Sequence, residues 1–188
     1  MTQIKSTRQY GRLAIVFGLA ATCIYIVMIN ITLEYIETLT GLLPFDMRLG
    51  GYSPEQAYAL LDALGAEGNR YYLTRQIPLD LIYPALMAMT LVSILKWLEA
   101  KHVARMLTKI GVWLSIGAAV ADYLENAGIV MMILNWPEPS IYLVHAASTA
   151  SIVKSGLTTL AVLSVIIGLI IWAYGKTLVW LKLTSSTR

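Results

Sequence analysis

Four long apolar runs constrain this chain more than any other feature. They cover about residues 13–33, 79–98, 110–134 and 143–173 of 188. About 20 helical residues cross the roughly 30 Å hydrocarbon core of a bilayer, so each run is long enough to span. Inside hydrocarbon the backbone must satisfy its own hydrogen bonds, which leaves only helices or a closed barrel. None of the runs alternates with period two, as a barrel strand does. The expected fold class is therefore all-α: an antiparallel four-helix transmembrane bundle, with residues 1–188 as one membrane domain. Composition agrees. The chain is 57% hydrophobic and 13% charged, with a mean hydropathy of +0.67. A soluble domain of that balance would expose far too much apolar surface.

The first run follows Lys5, Arg8 and Arg12, as a secretory signal would. Its apolar stretch is too long for a signal, and no clear small-residue cleavage site follows. Ala20-Ala21-Thr22-Cys23 fits a lipoprotein cleavage site poorly, so the run reads as a retained span. Cys23 is the single cysteine, which rules out an internal disulfide and dithiol redox chemistry.

Basic residues set the expected orientation. Lys5, Arg8 and Arg12 precede the first span. Lys96, Lys101, Arg105 and Lys109 lie between the second and third, and Lys176, Lys182 and Arg188 follow the fourth. These are ten of the 14 basic residues. Glu34, Glu37, Asp46, Glu55, Asp62, Glu67 and Glu138 gather on the other side. The positive-inside rule then places both termini in the cytoplasm. The net charge of +3 comes from helix ends rather than a clustered basic face, so nucleic acid is not an expected partner.

Residues 37–76 join the first two spans on the outer side and read as a short helical cap. Ser53-Pro54-Glu55-Gln56 has the form of a helix start, with Ser53 as N-cap, Pro54 at the first position and Gln56 closing a capping box. Ala57, Leu60, Leu61 and Leu64 fall on one face. Gly65 suits a C-terminal cap, and a second short helix is expected from Ala66 through Arg70 towards the second span. Such a hairpin either lies on the bundle mouth or serves as a lid over a ligand. Asp46, Arg48, Tyr52 and Arg70 are its candidate functional residues.

The best functional clue is charge inside the apolar runs. Asp80, Asp122, Glu125, Lys154 and, nearer an edge, Glu34 interrupt them. A charge at the bilayer centre costs roughly 2.5–3.5 kcal/mol even on lenient scales, so such groups pair and face the bundle interior. Asp122, Glu125 and Asn126 share one helix face at i, i+3 and i+4. At helical rise Glu125 lies about 16 Å inward from Trp136, and Lys154 about 18 Å inward from Tyr142. That depth match makes a Lys154 pairing with Glu125 or Asp122 reasonable. Asp80 lies about 24 Å from Lys96 and Glu34 about 33 Å from Arg12, both in the outer half. Three carboxyls against one ammonium leave negative charge in excess. Unless Arg48, Arg70 or Arg75 reaches down, one carboxyl should hold a proton or a cation. Asn126 and Tyr83 are expected to supply hydrogen bonds, and Pro84 to loosen the second helix. The bland alternative is a polar network that fixes helix register. Ala147, Ser151 and Ser155, with Gly117 and Ala121, read as small residues at helix contacts.

No phosphate-binding glycine loop, Ser-His-Asp set or zinc spacing stands in the sequence. No catalytic residue, cofactor or metal is expected. His102 and His145 fall on opposite sides and cannot ligate together.

The chain resembles a group of small bacterial four-span integral membrane proteins of uncharacterised activity. The likeness rests on Phe45-Asp46-x-Arg48-x-x-Gly51-Tyr52, Leu64-Gly65 followed by Gly68, Pro78-Leu79-Asp80-Leu81-x-Tyr83-Pro84 and Asp122-x-x-Glu125-Asn126. It covers about residues 34–154. It implies a multi-pass protein of the bacterial cytoplasmic (inner) membrane and carries no activity to transfer. The leading expectation is a non-enzymatic protein that binds a membrane lipid, a small hydrophobic or cationic ligand, or a partner membrane subunit, through the outer-half polar cluster. An ion- or proton-coupled transporter or channel component, as a homo-oligomer, is the alternative. A small lipid-acting enzyme using Asp122 and Glu125 is the second.

Overall fold

The computed structural model describes residues 2–185, and the side chains of residues 7–177. The described residues form helices and connecting loops, with no strand. Of the basic residues used above for orientation, the side chains of Lys5, Lys182 and Arg188 lie outside the described residues.

Helix α1 (Thr2–Val27) runs through a π-helical turn (Met28–Thr32) into α2 (Leu33–Thr40) without a break. Gly41 ends it in the left-handed conformation (φ 67°), donating its N–H to Glu37 O at 2.8 Å; glycine accepts that geometry without steric cost. A loop follows, with one 3₁₀ turn (Phe45–Met47). Helix α3 (Pro54–Tyr71) begins on the full capping box: Gln56 N–H donates to Ser53 Oγ at 3.3 Å, and Ser53 N–H to Gln56 Oε1 at 3.0 Å. Gly65 (φ 58°, ψ −165°) breaks α3 internally. A second π turn (Tyr72–Gln76) leads straight into α4 (Ile77–Ala100). The remaining helices are α5 (Arg105–Leu134) and α6 (Ile141–Ser185).

Four stretches are long and apolar enough to cross a membrane: Thr7–Thr40, Pro54–Ala100, Arg105–Leu134 and Ile141–Thr177. Two expected boundaries move. The first helical stretch continues past residue 33, and the chain after Gly65 is no separate short helix but runs on into the second span. In both places a π turn keeps the helix going where the sequence suggests an end.

The leucine face of α3 is buried. Ala57, Leu60 and Leu61 are fully enclosed, and with Leu64 they pack with Phe45, Tyr52 and Tyr72 on Ile129, Met132 and Ile133 of α5 and Val144 and Ala147 of α6. Each such leucine contributes about 1.5–3 kcal/mol of burial. Three polar contacts pin the segment. Tyr52 N–H donates to Ser148 Oγ at 2.8 Å, Tyr58 O–H to Pro139 O at 3.0 Å, and Trp136 Nε1–H to Asp62 Oδ1 at 2.9 Å. Gly51 (φ 78°) is required there, because a Cβ would stand 2.6 Å from Ser148 Oγ.

Among the long helices, α1 packs along α4, α4 along α5, and α5 most extensively along α6. Small residues permit the closest approach: a Cβ on Gly128 would lie 2.6 Å from Ala147 Cβ, and one on Gly111 2.9 Å from Ser164 Cβ. Helices α1 and α6 are not among the closely packed pairs. The row of helices therefore leaves a cleft between its first and last members, floored by α4 and α5.

Candidate binding site

The cleft contains a cavity of about 370 Å³. Four acidic or basic side chains line it: Asp46 from the 41–53 loop, Asp80 from α4, Asp122 from α5 and Lys154 from α6. Tyr25, Met28, Leu33, Met47, Leu49 and Tyr83 supply most of the apolar wall, and Ser155, Thr158 and Thr159 add hydroxyls.

Lys154 is shared between two acids. Its Nζ contacts a Glu125 carboxylate oxygen and lies 3.7 Å from Asp122 Oδ1. Ser151 Oγ–H donates to Glu125 Oε1 at 2.5 Å. Glu125 is 1% exposed and is not part of the cavity lining. With its oxygens engaged by Lys154 and Ser151, it meets no substrate-sized space, which weighs against acid–base work by the Asp122–Glu125 pair.

Asn126 Nδ2–H donates at 2.9 Å to the backbone carbonyl of Asp80. That carbonyl would normally accept from the N–H four residues on, which is Pro84 and has none. Asn126 thus satisfies the acceptor that Pro84 orphans. Tyr123 O–H donates to the next carbonyl, Leu81 O, at 2.9 Å. Tyr83 stacks on Tyr25 with ring centroids 5.6 Å apart and walls the cavity.

The loop brings a carboxylate into the cavity rather than an arginine. Tyr72 O–H donates to Asp46 Oδ2 in a short contact, and Gln76 Nε2–H reaches Asp46 Oδ1 at 3.4 Å. Thr32 Oγ1–H in turn donates to Gln76 Oε1 at 2.5 Å. The two π turns make this chain possible: each adds a residue to its turn and brings Thr32 and Gln76, both buried, face to face. Single π turns in α-helices are frequent at functional sites. Thr32, Gln76 and Tyr72 carry no signal in the sequence beyond being polar or aromatic near a span edge.

Asp80 is 3% exposed. It lines the same cavity as Asp46, and its Oδ2 accepts from no donor group among the described residues. Three carboxyls and a single ammonium around one cavity leave an unfilled requirement for a proton or a positively charged donor.

The other expected candidates lie elsewhere. Glu34 is exposed and makes no ion pair among the described residues. Arg70 and Arg75 are exposed and do not reach the carboxylates. Arg48 spends its Nε–H and Nη2–H on Leu43 O at 2.8 and 2.7 Å, and lies over the rings of Phe45 and Tyr52. Burial lowers its proton affinity from the ordinary arginine value. Burial, reinforced by the Glu125 and Asp46 charges, raises that of Tyr52, which stays a neutral phenol. A second, open groove of about 520 Å³ runs beside Arg48 along Leu42, Leu43 and Gln56. Arg48 is the one charged side chain lining it among the described residues, whereas the first cavity gathers four. Ser155, expected at a helix contact, faces that cavity instead. No three His, Cys, Asp or Glu side chains among the described residues converge closely enough to hold a metal ion.

Comparison with protein-family models, curated proteins and solved structures finds no match to this chain.

Proposed function

We propose that this chain is a multi-pass protein of the bacterial cytoplasmic membrane that binds a small ligand in the cavity between α1 and α6. One observation carries the reading: a 370 Å³ space with apolar walls that gathers four acidic or basic side chains, three of them on helices long and apolar enough to cross a membrane. Ligand sites are concave, mostly apolar and oriented by a few polar groups, with volumes of about 300–1,000 Å³. A network serving register alone would be packed shut and fully paired, whereas Asp80 borders open space and has an unpartnered oxygen.

In this reading the four spans run antiparallel. The contacts of α5 with α6 support that: Gly128 meets Ala147, Glu125 meets Ser151, Asp122 meets Lys154 and Gly117 meets Leu157, so one number falls as the other rises. Both termini are cytoplasmic by the distribution of Lys and Arg. The 41–53 loop and α3 then form an outer cap over the cavity. The excess of carboxyls over ammonium around the cavity favours a second reading, in which the site carries protons or cations as part of a larger coupled assembly.

Native mass spectrometry of the protein extracted from its own membrane distinguishes these. A stoichiometric small molecule, retained by the wild type and lost when Thr158→Trp fills the cavity, is the expected result. A bare monomer, or a bound small molecule still retained by Thr158→Trp, overturns the binding reading. A bare homo-oligomer would favour the coupled-transport reading in its place.

A further inference from the structure

We infer that the cavity receives an amphiphile with one primary ammonium head, and that this ligand enters sideways from the lipid through the cleft between α1 and α6. The inference rests on the binding reading above and specifies its ligand class and route.

The head follows from charge and donor count. Asp46, Asp80 and Asp122 face the cavity, against the single ammonium of Lys154. Lys154 is already taken by Asp122 and Glu125. Asp46 receives Tyr72 and Gln76, and Asp80 Oδ2 receives nothing. An anionic head would add like charge to a wall already negative. A metal ion would require converging ligands, and no such group of side chains exists among the described residues. A primary ammonium brings three N–H donors on one centre, enough to serve Asp80 Oδ2 and still donate to other acceptors that line the cavity. A quaternary ammonium brings the charge but no donor, and leaves Asp80 Oδ2 unsatisfied.

The tail and route follow from the walls. Met28, Leu33, Met47 and Leu49 give an apolar lining continuous with the exposed face of the cleft, where Leu49 is 66% and Tyr25 44% exposed. From above, the loop closes the space: Arg48 is tied to Leu43 O, Tyr52 to Ser148, and Asp46 to Tyr72. From the side, α1 and α6 are not among the closely packed helix pairs, so little packing has to give way. Tyr25 on α1 and the exposed Thr159 on α6 stand at the two lips.

The test uses the full chain in nanodiscs, with radiolabelled octylamine as probe and octyltrimethylammonium, octanoate and octanol as competitors. Octylamine should bind saturably with one site per chain, about tenfold or more tighter than octyltrimethylammonium, and octanoate and octanol should not compete. Asp80→Asn should weaken octylamine by about tenfold or more. Thr158→Trp, which leaves every charge in place, should abolish saturable binding. In a Cys23→Ala background, bridging Tyr25→Cys to Thr159→Cys with a bis-maleimide should slow association and dissociation together. Competition by octanoate or octanol equal to octylamine, or full octylamine affinity in Asp80→Asn, overturns the ammonium assignment while the cavity remains a binding site. Unchanged rates after bridging overturn the lateral route. No saturable probe and no co-purified small molecule would overturn the binding reading itself.

Discussion

Removing the Lys154 ammonium should destabilise the protein more than removing either carboxylate beside it. The Nζ lies 3.7 Å from Asp122 Oδ1 and in closer contact with Glu125, and all three side chains are largely enclosed. At that separation an effective dielectric near 20 gives roughly 4–5 kcal/mol of attraction per pair. Desolvation offsets most of it while the cluster is intact, but removing the one cation leaves two buried carboxylates facing each other. Breaking a buried pair in this way costs about 3–5 kcal/mol. Lys154→Met keeps most of the length of the side chain and loses the charge, so its expected cost is in that range. Glu125→Gln leaves Lys154 with Asp122 and keeps an oxygen for Ser151, so about 1–2 kcal/mol is expected. The combined variant Lys154→Met, Asp122→Asn, Glu125→Gln removes all three charges of the cluster and should return to within about 1–2 kcal/mol of wild type. Reversible unfolding of the purified protein in bicelles measures each. A loss under about 0.5 kcal/mol for Lys154→Met, roughly the scale of an exposed pair, would refute the reasoning, as would a combined variant no better than the single. The cluster would then be hydrated or the cation unpaired.

Other residues give separate tests by the same unfolding assay. Asn126→Ala should cost about 1–3 kcal/mol by orphaning the Asp80 carbonyl. The cost should fall in a Pro84→Ala background, because the new backbone N–H can then serve that acceptor; purely additive effects would show that Asn126 does something else. Gly128→Ala should destabilise by about 1–3 kcal/mol, since its Cβ would meet the Ala147 Cβ and backbone. Gly168→Ala meets only the end of the flexible Leu98 side chain and should cost less. Ser53→Ala removes the α3 cap and should cost about 1 kcal/mol, visible as faster hydrogen exchange at Glu55, Gln56 and Ala57.

Much of the helical pattern is legible residue by residue. The capping box at Ser53, the buried face of Ala57, Leu60, Leu61 and Leu64, and the break at Gly65 each follow from neighbours within a few positions, and the structure contains all of them. The cleft-lining acids of the spans are marked by their cost in an apolar run. The two π turns are not legible, because Met28–Thr32 and Tyr72–Gln76 carry no distinctive residues; the Thr32–Gln76 contact joins one to the other. The partner of Asn126 is hidden as well, since it follows from Pro84 on another helix.

By itself, the sequence determined four apolar helical stretches, their capping chemistry and which buried charges would need partners. These depend on hydropathy and on spacing along one helix. Tertiary structure alone decided that Asp46 rather than an arginine enters the cluster, that Glu34 stays out of it, and that α1 and α6 leave a cavity between them. Those outcomes depend on which helix faces meet, and that is set by the summed packing of residues far apart in the chain, such as Gly128 on Ala147 and Thr32 on Gln76.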